Sequence, residues 1–185
     1  MKFRFIFQLF VIALFGTLTS CAQQNTGAKI NWLTFEEAEK QFKANPKPIL
    51  VDIYTDWCGW CKKMDKVTYS HPEVIKYINA NYYPVKFDAE SKEKIALFGK
   101  TFENNGVAVG PRKPPHDLAS FLLSGKMSYP STVFIKMNNG TISPEPVPGY
   151  LDVPTMEMIL KYLSDTKNQT VPFADYQQSF QAVWQ

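Results

Sequence analysis

Apolar residues in this chain recur with helical spacing in some segments and gather into short continuous runs in others. In TFEEAEKQF, Phe35, Ala38 and Phe42 lie three and four residues apart, and Glu37 follows Thr34 by three, so the spacing predicts a helix opened by a capping box. ILVDIYT, from Ile49 to Thr55, is apolar except for Asp52 and predicts a strand covered on both faces. CKKMDKV and SHPEVIKYINA read as two helices, the second with Pro72 in its first turn. YYPVKFDA is a further strand, and SKEKIALFGKTFEN is expected to be helical. Gly and Pro make NNGVAVGPRKPP a loop, and HDLASFLLSG is a candidate helix after it. STVFIKM and TISPEPVPGY flank the turn residues NNG as a hairpin. VPTMEMILKYLSD carries Met156, Ile159, Leu160 and Leu163 on one helical stripe. Phe173, Tyr176, Phe180 and Trp184 continue at helical spacing, predicting one more helix at the C-terminal end. This order predicts an α/β fold, a mixed central sheet with helices on both faces.

The N-terminal pattern is of another kind. MKFRFIFQLFVIALFGTLTSCAQ sets Lys2 and Arg4 before an apolar block from Phe5 to Leu18, then small residues up to Cys21. The block is shorter than the roughly 20 apolar residues of a spanning helix, and its order is that of a secretory signal. The end LTSC resembles the bacterial lipobox, which implies that Cys21 is lipidated and begins the mature chain. The expected organisation is a signal at 1–20, a polar tether at 21–29, a domain at 30–165 with an insertion around 104–127, and a helical extension at 166–185. Export places the domain in the bacterial cell envelope, facing the periplasm, where thiol pairs oxidise unless kept reduced.

Composition narrows the function classes. With 45% hydrophobic and 15% aromatic residues the chain can bury a core of its own. The formal charge is +3, two units of which are Lys2 and Arg4, so no nucleic-acid partner is expected. There are three cysteines, and if Cys21 carries lipid only Cys58 and Cys61 remain, in YTDWCGWCKKM. That pair could bind metal, staple the fold or react. Zinc takes about four ligands; His71 sits in an expected helix cap and His116 beside a Pro-rich loop, neither paired with another ligand, so no metal or cofactor is expected.

The residues ILVDIYTDW, WCGWCK, VKFD and SYPSTVFI, in that order, resemble the thioredoxin superfamily across residues 30–165. Closer in, VDIYTDWCGWCKKMDKVTYSHPEV with GYLDVPTM is similar to the periplasmic thiol-carrying domain of the DsbD transmembrane reductase. The resemblance implies a redox dithiol. Cys58 would be the nucleophile, favoured as a thiolate at a helix N-terminus, and Cys61 the resolving thiol. Gly59 and Trp60 would set the loop between them, with Trp60 where thioredoxin has proline, and Trp57 would flank the pair with a flat apolar surface. Asp52 would be the buried acid that handles the Cys61 proton, with Lys86 as its partner. Pro130 would be the cis proline facing the cysteines, preceded by Tyr129.

Independently of the resemblance, an acid inside ILVDIYT loses hydration on folding, so its pKa should rise unless a cation offsets the burial. The expected activity is reduction of protein disulfides in the envelope, with client proteins and a membrane thiol reductase as partners. Two alternatives stay open: an isomerase or oxidase, although isomerases usually carry histidine where this chain has Trp60, and a non-catalytic, lipid-tethered binding protein on the same fold.

Overall fold

The computed structural model describes residues 28–108, 113–138 and 140–185. The expected signal, Cys21 and most of the tether lie outside the described residues. Helix α1 spans Phe35–Ala44, and its capping box is complete. Glu37 N–H donates to Thr34 Oγ1 at 3.1 Å, and Thr34 N–H donates to the Glu37 carboxylate at 2.8 Å. Strand β1 (Ile49–Tyr54) leads into α2 (Gly59–Val67), then α3 (Pro72–Asn81) and β2 (Tyr83–Asp88). Two short strands, β3 (Ile95–Leu97) and β4 (Lys100–Phe102), precede α4 (Asp117–Leu122). The hairpin β5 (Ser131–Asn138) and β6 (Thr141–Pro148) is followed by α5 (Val153–Ser164) and α6 (Phe173–Ser179).

The main sheet has the order β2-β1-β5-β6. Its inner strand β1 runs parallel to β2 and antiparallel to β5, so the sheet is mixed. Successive side chains of a strand face opposite ways. Ile49, Val51 and Ile53 accordingly enter one core with Phe35 and Ala38 of α1 and with Leu118 and Leu122 of α4. Leu50 enters the other with Met64 of α2, Ile78 of α3 and Leu160 of α5. Asp52, two residues on, shares the Leu50 face and so lies toward α2. The expected sheet with helices on both faces is what the chain forms, and the reason the run ILVDIYT does not alternate is that both its faces are covered.

Two local expectations are corrected. SKEKIALFGKTFEN is not helical but holds the antiparallel pair β3–β4, joined at Phe98 and Gly99. Both turn residues have positive φ, 47° and 77°, the pairing of a type I′ hairpin turn. Glu39 of α1 accepts the Phe98 N–H at 2.6 Å, which holds a non-glycine residue in that conformation. The alternation of buried Ile95, exposed Ala96 and buried Leu97 was the signal of a strand. At the other end, α6 stops at Ser179, and Phe180 is already extended. Trp184 reaches the core through extended chain: the N–H groups of Val183 and Trp184 both donate to Glu157 Oε2 at 2.8 Å, which a continuing helix would have turned inward.

Candidate active site

The turn after β1 delivers Cys58 to the start of α2. Cys58 is the N-cap, its own N–H donating to the Thr55 carbonyl at 3.1 Å. The Cys61 N–H points back at Cys58 Sγ, 3.1 Å away. A helix start leaves such N–H groups without helical partners, so they and the aligned peptide dipoles favour negative charge on that sulfur. Cys58 and Cys61 are joined as a disulfide with Cα atoms 5.3 Å apart. Both are buried, and Cys61 faces the core side of α2 with Met64. Gly59 opens the helix, and a Cβ there would meet nothing within 4 Å, so packing does not demand glycine at this position.

Two aromatic walls flank the disulfide. Trp57, 49% exposed, donates its indole N–H to Glu90 Oε1 at 2.9 Å and meets Tyr129 edge-on at 5.9 Å. Trp60, 57% exposed, tilts against Tyr150 at 5.4 Å, and the Lys63 ammonium lies over both rings at 4.7 and 5.1 Å. The chain enters β5 through a cis Tyr129–Pro130 peptide bond. The Pro130 carbonyl accepts the Gly149 N–H at 2.8 Å, which ties this corner to the end of β6. Burial, with Glu90 and Asp88 nearby, pushes the Tyr129 hydroxyl up to about 12.

A charged cluster lies between the sheet and α2. Asp52 is 2% exposed, and its Oδ2 takes a bond from Lys86 Nζ at 3.0 Å. Register explains the meeting, because Asp52 and Lys86 are partners across the parallel β1–β2 pair. Lys86 also donates to Asp65 Oδ1 and sits over the rings of Tyr54 and Trp32 at 5.0 and 5.5 Å. Desolvation pushes the Asp52 carboxyl up to about 6, the Lys86 ammonium opposing it and the Asp65 carboxylate adding to it. Burial lowers the Lys86 pKa, but the two carboxylates outweigh it and the net direction is upward. Asp65 follows Cys61 by one helical turn, so the Lys86 bridge connects the buried acid of β1 to the helix that carries the disulfide.

The structure thus brings Asp52 together with Lys86, Trp57 together with Tyr129, and Cys58 together with Cys61, while Trp60 meets Tyr150 instead. Cys21 lies outside the described residues. The sequence reading missed Asp65 and Glu90. Asp65 was signalled by its position one turn after Cys61; Glu90, in a loop distant in sequence from Trp57, had no local signal. His116 is buried and structural: its Nδ1 accepts the Leu118 N–H at 3.0 Å as the cap of α4, and its Nε2–H donates to the Glu93 carbonyl at 2.8 Å. Among the described residues no group of three or more His, Cys, Asp or Glu is placed to hold a metal ion.

Beside Trp57 opens a cleft of about 490 Å³, lined by Glu90, Tyr129 and residues of the insertion, among them Val107, Lys113, Pro115 and Met127.

Residues 16–107 match the family described as Thioredox_DsbH, Protein of unknown function, DUF255. Over 105 residues the chain is 28% identical to the thiol:disulfide interchange protein DsbD of Campylobacter jejuni (strain RM1221), covering 57% of this chain and 17% of that protein. The chain spans less than a fifth of the length of the curated relatives it matches. Among solved structures, a thioredoxin from Thermus thermophilus superposes with a TM-score of 0.52 at 16% identity, over 72% of this chain and 85% of that one. A thioredoxin-fold protein from Helicobacter pylori gives 0.52 at 17% identity, over 72% and 80%.

Proposed function

We propose that this chain, which has the thioredoxin fold and resembles the thiol:disulfide interchange protein DsbD, is a thiol-disulfide oxidoreductase that reduces protein disulfides in the bacterial cell envelope. The observation that carries this reading is the Cys58–Cys61 disulfide at the start of α2, with the Cys61 N–H directed at Cys58 Sγ. Such a donor stabilises a thiolate at Cys58 and makes it the attacking group.

In the reduced protein the Cys58 thiolate attacks one sulfur of a client disulfide. A mixed disulfide forms, and the other client sulfur leaves as a thiolate and takes a proton from solvent. Cys61 then gives up its proton and attacks Cys58 Sγ. The intramolecular disulfide closes, and the client leaves with both sulfurs as thiols, reduced by two electrons. A dithiol donor, in this reading a membrane thiol reductase, restores Cys58 and Cys61 by the same exchange.

Asp52 serves as the acceptor of the Cys61 proton. A carboxyl with a pKa of about 6 is mostly ionised near neutral pH yet close enough to it to exchange a proton, and Lys86 holds its ionised form. The Pro130 carbonyl is engaged by Gly149, so an extended client segment pairs with the backbone of Tyr129, next to Trp57.

The lipid anchor on Cys21 and the periplasmic orientation belong to the same proposal and rest on the sequence of residues 1–21.

Equilibration of the Cys58–Cys61 pair in defined thiol buffers tests the direction of flow. A potential near thioredoxin's, about −270 mV, is expected; a value near about −120 mV would make the protein an oxidant and overturn the reductive reading.

A further inference from the structure

Two buried hydroxyls lie on the face of the sheet that carries Asp52. Tyr69, just past the end of α2, and Thr132 of β5 are both buried, and their hydroxyl oxygens share one hydrogen bond at 3.1 Å. The Tyr69 ring is held edge-on to Trp32 at 5.4 Å. A pair of hydroxyls carries two protons, and a single mutual bond uses one of them. Among the described residues neither hydroxyl has a second hydrogen-bond partner, so one O–H is left to orient.

Register places an acceptor opposite it. Asp52 and Thr132 are partners across the antiparallel β1–β5 pair, as Asp52 and Lys86 are across the parallel β1–β2 pair. Antiparallel partners point to one face of a sheet with Cβ atoms about 5 Å apart. Lys86 Nζ takes Asp52 Oδ2, and among the described residues Oδ1 receives no hydrogen bond. Burial pushes the Tyr69 hydroxyl well above its ordinary value, and the nearby Asp52 carboxylate adds to this. The hydroxyl pair therefore stays protonated, and, being buried, offers no path for a proton to solvent. It can act on the acid only as a dipole.

Asp52 thus has unlike neighbours on its two sides. Toward β2 stand the partly exposed Lys86 and Asp65, with the Tyr54 ring against the Lys86 ammonium. Toward β5 stand Thr132 and, behind it, Tyr69. With Tyr69 donating to Thr132 Oγ1, the Thr132 O–H is free to turn its positive end to the carboxylate, which favours the charged acid.

We propose that Thr132, polarised by Tyr69, is a positioning residue for Asp52, and that this hydroxyl pair sets how readily the acid is ionised and so the pH at which it takes the Cys61 proton. The inference rests on the reading of Asp52 as that proton's acceptor.

The test reads Asp52 directly. Carbon-13 NMR of the aspartate carboxyls in the oxidised protein gives its titration midpoint with no redox step, assigned by the signal lost in Asp52→Asn. Single-turnover closure of the Cys58–Cys61 disulfide against a small aromatic disulfide gives the pH–rate profile. Thr132→Val keeps the β-branched shape without the hydroxyl and should move the midpoint up from about 6 by about half a pH unit, the rate profile following. Thr132→Ser should restore both. Tyr69→Phe should move them the same way by less, and remains informative if the valine variant misfolds. A midpoint unmoved in both Thr132→Val and Tyr69→Phe, a downward move, or an equal move in Thr132→Ser would overturn the proposal. A moved midpoint with an unmoved rate profile would keep the hydroxyls as tuning partners of the acid and sink the proton-acceptor reading of Asp52 alone.

Discussion

Lys86 holds Asp52 across the parallel β1–β2 pair, with Nζ 3.0 Å from Oδ2, and the acid it holds is almost completely buried. The carboxyl titrates at about 6 in the folded protein against 3.8 for a free aspartate. Between those values the native state keeps a proton that the unfolded chain has lost. Stability therefore falls as pH rises from about 4 through about 6, and stays lower above it. Asp52→Asn removes that dependence and leaves Lys86 its bond to Asp65. It should stabilise the fold near neutral pH by about 1–3 kcal/mol and slow closure of the Cys58–Cys61 disulfide. Urea midpoints from pH 4 to 8 beside single-turnover rates check both. A less stable variant with unchanged turnover would leave Asp52 a satisfied structural carboxylate.

Removing the cation has the opposite sign. Lys86→Met leaves Asp52 buried with its countercharge gone and should cost about 2–3 kcal/mol at neutral pH, at the lower end for a broken buried pair because the Lys86 side chain is a quarter exposed. The loss should shrink as the solution is acidified below about 6, where Asp52 is neutral in the native state. In the double variant Asp52→Asn/Lys86→Met most of the loss should disappear, and a thermodynamic cycle over the four proteins measures the coupling. Additive effects would show that the two residues do not act as a pair.

The C-terminal strap is held by one buried acid. Glu157 Oε2 accepts the Val183 and Trp184 N–H groups, Oε1 accepts from Lys161, and the Trp184 ring packs on Tyr77 at 5.3 Å. Burial would raise the Glu157 pKa, but Lys161 and the two backbone N–H groups outweigh it, so it lies below the ordinary value. The stability it contributes is present above the usual carboxylate range and is lost as acid protonates it. Trp184→Ala should cost about 2–3 kcal/mol, less than a central core aromatic because a terminal segment can detach alone. Thermal melts and hydrogen exchange on α5 measure it.

Much of this architecture was readable from pattern because the segments concerned obey a single period. ILVDIYT announced a strand covered on both faces, and Thr34 with Glu37 announced a helix start, since each depends on neighbours in sequence. The β3–β4 hairpin departs from the helix expected there because its deciding feature, Glu39 holding the Phe98 N–H, comes from a distant helix. The C-terminal helix was overextended for the same reason: spacing alone carried it to Trp184, and Glu157 draws that residue in through extended chain. At the site, Asp52 stood out as a carboxylate in an apolar run. Its link through Lys86 to Asp65, and that of Trp57 to Glu90, required the strands and loops to be placed in space.

Lipidation of Cys21 is open to direct measurement. Mass spectrometry of the protein from membranes should show an acylated N-terminal cysteine at position 21, and Cys21→Ala should accumulate as an unlipidated precursor with Lys2 and Arg4 still present. A mature chain that begins elsewhere would remove the anchor from the proposal.

The two cysteines should fail differently when removed. Cys58 is the cap toward which the Cys61 N–H points, whereas Cys61 lies on the inner side of α2. A thiolate is favoured where helical N–H groups converge, lowering a thiol pKa from about 8.5 to about 7 in thioredoxin. Cys58→Ser should therefore abolish attack on client disulfides. Its remaining thiol, buried and without that donor, should alkylate at pH 7 about tenfold more slowly than Cys58 does in the complementary variant. Cys61→Ser should still attack but cannot resolve, so mixed disulfides with clients should accumulate and survive denaturing electrophoresis until a thiol is added. If Cys61 proves the faster-alkylating thiol, or if Cys58→Ser is the variant that traps clients, the roles are reversed, and the N–H contact to Cys58 Sγ is a feature of the disulfide form alone.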